Sequence, residues 1–293
     1  MEIELRVWDD DASKYLEGSP GRVAGNDLLG HIRVIRFDTE SDLGRTIAER
    51  DRQSRASGGR RFLISWTAVG STPAAFKHPG FAMLEVVAAF EPAGEECGTV
   101  YSKGGCPVCY AGEEQVGPLI LDLRHRQPGR DIDSQTVPRS DIARTIADEI
   151  IVSGHLAAEL ELSGLTGFSF GPVYQVGRPE PVSNWKQLLA SGPTVPTVPP
   201  TRFGVTPLDP DEPDAARCVR EGPDHVAGLN LISDLTMGST PETDLALTTQ
   251  FVGDARGLLR PARIIVASPR LVEVLRSAKV RGVRLFSAHI ADA

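Results

Sequence analysis

The sequence predicts an α+β fold in which a mixed N-terminal unit, residues 1–94, leads into a longer second half, residues 95–293. Three observations point there. Over the first 90 residues, short segments that alternate apolar and polar side chains interleave with a stretch of helical spacing. All four cysteines follow residue 95, and two of them form Cys106-Pro107-Val108-Cys109 at the junction of the halves. One strand–helix–strand pattern then occurs twice in the second half.

Residues 3–8, 31–37 and 62–66 read as strands. Between the last two, residues 41–52 set Leu43, Ile47 and Ala48 on one helical face, and the polar, Gly-containing stretch 54–61 reads as a loop. Residues 81–90 are almost continuously apolar and predict one strand buried on both faces. Asp9-Asp10-Asp11 follows the first strand and reads as a solvated turn. Beyond the cysteines, residues 118–123 read as a strand, and Asp122, Arg124, Asp131 and Asp133 as a polar, capping cluster ahead of 140–151.

The repeat emerges when residues 150–168 are laid on 265–283 without a gap. Ile150, Ser153, Leu156, Leu160 and Gly167 then meet Ile265, Ser268, Leu271, Leu275 and Gly282, while Ile151 meets Val266 and Leu165 meets Val280. Each copy predicts a strand, a serine N-cap, an amphipathic helix with its leucines facing a sheet, and a glycine turn into a second strand. Pro269 suits the first helical turn of the second copy. Between the copies, residues 172–213 hold ten of the 22 prolines. That density predicts an extended surface arm or partner-binding loop with one short strand at 185–189, because proline donates no ladder hydrogen bond.

Two cysteines separated by two residues can turn back onto one metal ion, and tetrahedral zinc then needs two further ligands. Cys97 and Cys218 are the candidates, with His225 as a substitute for either. Gly105 and Pro107 suit the tight turn of a metal knuckle. A redox pair would open a helix directly after a strand, whereas Tyr110-Ala111-Gly112-Glu113-Glu114 follows Cys109. Coincidental, unligated cysteines are the other alternative. A site with four protein ligands keeps no open position, so the expected zinc is structural.

The chain has a 41 % apolar and 24 % charged composition, and its net charge of −8 is spread along it. There is no basic stripe, and aromatics are scarce at 6 %, which argues against a nucleic-acid partner. The opening residues alternate like a strand and lack the apolar core of a signal peptide, and no segment is long enough to cross a bilayer. Few cysteines and no export signal predict the cytoplasm. Walker A, GxGxxG, HExxH and GxSxG patterns are absent, so no catalytic residue is assigned.

The knuckle and the repeat together resemble the myxobacterial double-CXXCG-motif proteins. The likeness rests on Cys106-Pro107-Val108-Cys109, the block Gly117-Pro118-Leu119-Ile120-Leu121-Asp122-Leu123, Thr201-Arg202-Phe203-Gly204, the run from Ile264 to Leu275, and Val280-Arg281-Gly282-Val283. It covers residues 95–290; Tyr110 stands where the family has the Gly of its motif, and Cys218 and His225 stand near the place of the second CXXC. The resemblance implies an immunity-type protein of a swarm-inhibition toxin–immunity pair, which neutralises a toxin by binding it. A metal-dependent hydrolase or transferase is the competing expectation.

Overall fold

A computed structural model describes residues 1–291 apart from 19, 28, 29, 60, 103, 124–138, 210–217, 219–228 and 254–256. The chain is α+β, with strands outweighing the five helices among the described residues, and it divides into two compact units. The first comprises Met1–Gly70, Arg202–Ala215 and Asn230–Ser233; the second comprises Ser71–Thr201, Ala216–Leu229 and Asp234–Ala293. The expected division at 94/95 therefore falls inside the second unit, because the strand Ala82–Val86 lies in one of that unit's sheets.

In the first unit, Glu2–Trp8 is paired with Gly30–Asp38 on one side and Leu63–Ala68 on the other, and Arg22–Asp27 extends the antiparallel sheet beyond Gly30–Asp38. Alternation buries Ile3, Leu5 and Val7 against Ile35, Phe37, Phe62 and the helix residues Ile47 and Ala48. That helix, Asp42–Ala56, starts where the Ser41 hydroxyl accepts from the Gly44 N–H at 3.1 Å. Its buried Asp51 accepts the Phe62 and Leu63 N–H groups at 3.1 and 3.2 Å and pairs with Arg55 at 3.1 Å. The three aspartates expected to form a turn instead open the helix Asp9–Tyr15, where their charge complements the N-terminal end of the helix dipole. Asp9 also accepts from Arg33 Nε at 2.6 Å.

The second unit holds two six-stranded sheets of the same plan. In space, the first runs Ala89–Phe90, Ile142–Thr145, Ile150–Ser153, Pro181–Ala190, Phe168–Gln175, Leu119–Leu121. The second runs Thr194–Val195, Leu245–Val252, Ala262–Ala267, Ala82–Val86, Val283–Ile290, Leu235–Met237. In each, the four inner strands pair antiparallel and the short outer strand at either edge pairs parallel.

The aligned segments have one order of elements. Helix Gly154–Leu162 follows Ile150–Ser153, and helix Pro269–Ser277 follows Ala262–Ala267. Ser153 and Ser268 cap them by accepting the Leu156 and Leu271 N–H groups, both at 3.2 Å. Leu156, Leu160, Leu271 and Leu275 are all buried in one core with Leu84, Val152 and Leu245. Leu84 and Leu245 belong to the second sheet and Val152 to the first, so both sheets contribute to that core.

One strand of each copy lies in the other copy's sheet. Ala82–Val86 sits in the second sheet, and the chain then enters the first as Ala89–Phe90. Pro181–Ala190 sits in the first sheet, and the chain then enters the second as Thr194–Val195. The single strand expected over 81–90 is therefore two strands. The crossing is fixed by the Val87 N–H donating to the Gly282 carbonyl at 2.9 Å and the Arg144 N–H donating to the Ala88 carbonyl at 2.9 Å. Ser191 mirrors Val87, donating to the Gly167 carbonyl at 2.9 Å.

The expected proline-rich arm is likewise different in its first part. Residues 168–190 form an antiparallel hairpin, and Pro181–Ala190 is an inner strand. The prolines occupy the places a sheet tolerates: Pro181 is the first residue of its strand, and Pro172 stands at a register shift.

Candidate metal centre

The cysteine knuckle grows out of a small hairpin. Val100–Tyr101 pairs antiparallel with Gln115–Val116, and the Ser102 N–H extends the ladder to the Glu114 carbonyl at 2.7 Å. Inside this frame the chain folds back on itself. The Tyr110 N–H donates to the Cys106 carbonyl at 2.8 Å, and the Cys106 N–H donates to the Ala111 carbonyl at 2.9 Å. Tyr110 takes φ 59°, the left-handed conformation that lets the turn close. Gly105 is required by space, since a Cβ there would come within 2.6 Å of the Glu113 nitrogen.

Cys106 and Cys109 are buried at the turn, and Cys218 is brought to them from far along the chain. The three sulfurs lie within 4.8 Å of one another, and Cys106 Sγ is 3.8 Å from Cys218 Sγ. Two thiolates on one tetrahedral zinc, each at about 2.3 Å, stand about 3.8 Å apart. The donor set and its spacing therefore fit a thiophilic ion such as zinc. None of the four cysteines is in a disulfide.

Local electrostatics separate the thiols. Burial opposes charge on Cys106, but the N–H groups of Cys109 and Val108 and the neighbouring thiols donate to its sulfur and bring it down to about 6. Burial pushes Cys109 up to about 12, against the help of the Ala111 N–H, and the adjoining Cys218 and Cys106 sulfurs add to the rise. The turn thus favours negative charge on Cys106 over Cys109.

Phe251 packs on the cysteine cluster, and the Arg263 guanidinium lies 4.5 Å over its ring. Arg260 bonds Glu113 at 3.1 Å and Glu95 at 2.6 Å and lies 4.4 Å over the Tyr101 ring. Beneath the hairpin, the buried Glu149 carboxylate accepts from the Gly94 N–H at 3.0 Å and from the Tyr101 and Thr145 hydroxyls. Burial and the Glu149 charge push the Tyr101 phenol well above its ordinary range. The Glu149 contacts hold the hairpin to the first sheet, while Phe251 and Arg263 belong to strands of the second. None of these residues carried a sequence signal except Glu113, which lies close behind Cys109.

Cys97, expected as a ligand, stands apart from this cluster. It ends the short helix Gly94–Cys97, where burial pushes its thiol up and the Asp122 N–H donates to it. His225 lies outside the described residues, as do Arg124, Asp131 and Asp133 of the expected polar cluster. Asp122 is buried and accepts from Gln175 Nε2 at 3.0 Å. Among the described residues, no helix is long and apolar enough to cross a membrane.

No family model matches the chain, and no curated protein matches it. What the centre can do must be read from its own chemistry. Three converging thiols can hold one soft metal ion, and that ion would fasten Cys218 to the hairpin.

Proposed function

We propose that this chain is a non-catalytic, zinc-stabilised binding protein of the immunity type, which neutralises a cognate toxin in the cytoplasm by direct contact. The observation that carries the proposal is the convergence of Cys106, Cys109 and Cys218, whose thiolate-rich chemistry is that of structural zinc sites. Such an ion contributes folding free energy and supplies no reaction step. The net charge of −8 suits a basic partner. The resemblance to double-CXXCG-motif proteins supplies the immunity reading.

Metal analysis of protein purified without chelators is expected to give one zinc per chain, and much less than one equivalent overturns the zinc. The neighbouring gene tests the partner. A product that is toxic when expressed alone, harmless when co-expressed with this chain, and recovered in complex with it is the expected result. A neighbourhood of metabolic enzymes with no such product overturns the binding reading.

One observation favours a metal-dependent hydrolase or transferase instead: three protein ligands are found among the described residues, the number that catalytic zinc uses. X-ray absorption at the zinc edge separates the two. Four sulfurs, or three sulfurs with the outer-shell scattering of an imidazole ring, fit the structural site, and three sulfurs with one light atom lacking that outer shell fit the enzyme.

A further inference from the structure

The hairpin that carries the knuckle has two unlike faces. Tyr101 and its cross-strand partner Gln115 point inward, Tyr101 to Glu149 and Gln115 to Gln187 at 3.1 Å. Val100 and its partner Val116 point the other way and are 60 % and 55 % exposed. At the tip of the same excursion, Val108 and Tyr110 are 50 % and 48 % exposed. Four large apolar side chains thus stand in water on one short, doubly anchored element. Scattered exposed apolar residues need no explanation, but Val100 and Val116 are direct cross-strand partners and so expose one joint apolar surface.

Its surroundings are acidic. Between residues 91 and 118 there are five glutamates, Glu91, Glu95, Glu96, Glu113 and Glu114, against the single cation Lys103. Glu95, Glu96 and Glu114 are exposed. Arg260 answers Glu95 and Glu113, and Glu96 accepts the Ala93 N–H, which leaves the exposed Glu114, two residues from Val116, to charge the rim.

We infer that the outer face of this hairpin, centred on Val100 and Val116, is the docking surface for a protein partner that presents apolar side chains flanked by lysine or arginine. An apolar centre with a charged rim is the usual anatomy of a recognition surface. The sign of this rim selects a basic partner and repels acidic ones. Glu149 and Arg260 fasten the hairpin, so little conformational freedom is lost on binding. The inference rests on the binding reading above and adds the surface and the chemistry of what it takes.

The test uses the whole metal-loaded chain as bait for a phage-displayed random peptide library, with two variants. V100T/V116T removes the apolar pair while keeping β-branched side chains in the ladder, and Glu114→Lys reverses the rim. The expected result is a consensus of apolar residues flanked by Lys or Arg, bound at least about tenfold more weakly by each variant. The Glu114→Lys loss should shrink in high salt. Zinc content and melting temperature are expected to match the parent chain, which separates lost docking from lost folding. No enriched peptides, an acidic consensus, or peptides that bind both variants as well as the parent each overturn the assignment. A parent chain that sediments as a dimer, with V100T/V116T a monomer, also overturns it, since a second copy then covers the face. A cognate toxin bound equally by parent and variants removes this face but leaves the immunity reading standing.

Discussion

The cysteines do unequal work, and substituting each in turn exposes the difference. Cys106→Ser, Cys109→Ser and Cys218→Ser are each expected to lose the metal and several kcal/mol of stability, because binding free energy is here folding free energy. Cys97→Ser is expected to keep one metal per chain, since its sulfur faces Asp122 and not the cluster. Metal analysis beside denaturant unfolding reads both effects, and metal loss in Cys97→Ser would return that residue to the ligand set. Tyr110 invites a gain instead. A non-glycine residue in the left-handed region is disfavoured by about 1–2 kcal/mol, and the flexibility of glycine takes back part of that. Tyr110→Gly is therefore expected to stabilise the loaded protein by about 0.5–1 kcal/mol. A lower denaturation midpoint would mean that the ring's packing outweighs the backbone. At this scale the sequence was legible where chemistry is local. The turn at Cys106–Cys109 follows from spacing, whereas both Cys97 and Cys218 were expected to join it and only Cys218 does, because tertiary placement is not encoded in spacing.

The repeated strand–helix–strand elements are locked by two glycines that each belong to one copy and press on the other. A Cβ on Gly167 would lie 2.0 Å from the Leu245 carbonyl oxygen, and one on Gly282 would lie 2.2 Å from that of Ile142. Around each, an aspartate repeats the exchange. Asp244 accepts the Thr166 N–H at 3.0 Å and Asp141 the Arg281 N–H at 2.9 Å, while their carbonyls accept the Ser268 and Ser153 N–H groups at 2.7 and 2.8 Å. Gly167→Ala and Gly282→Ala are each expected to destabilise the protein by several kcal/mol, since both φ values are positive and the obstacle is backbone. Thermal unfolding measures it, and a small effect in either would mean that the crossing relaxes easily. Helical and strand periodicity made these elements readable, caps included. Their upstream partners were not, although Asp141-Ile142-Ala143-Arg144-Thr145 and Asp244-Leu245-Ala246-Leu247-Thr248 share Asp, Ala and Thr. The turn that follows is longer in the second copy, so an ungapped alignment cannot join the two blocks. The strands at Pro181–Ala190 and Ala82–Val86 were misjudged for a related reason. Proline density and apolar continuity are local quantities, and the sheet a strand enters is not.

Across the second unit, the exchange of Ala82–Val86 for Pro181–Ala190 makes the copies interdependent: each sheet lacks an inner strand unless the other copy supplies it. A chain whose ancestor was one copy pairing with itself would have this topology after duplication and fusion, the swapped strand being the hallmark of an exchanged dimer. The connection between the copies is then needed for assembly far less than the strands are. The exposed turn at residues 176–180 joins Phe168–Gln175 to Pro181–Ala190 and can receive a protease site without disturbing the ladder. Cutting the folded full-length chain there is expected to leave both pieces in one complex through gel filtration. Each piece keeps a strand inserted between two antiparallel neighbours of the other, so separation requires opening both sheets. After denaturation the pieces should recover the native spectrum only when mixed, at a rate that depends on concentration. Pieces that part under native conditions, or a piece that refolds alone to a stable monomer, would show that the copies are neighbours and not partners in exchange.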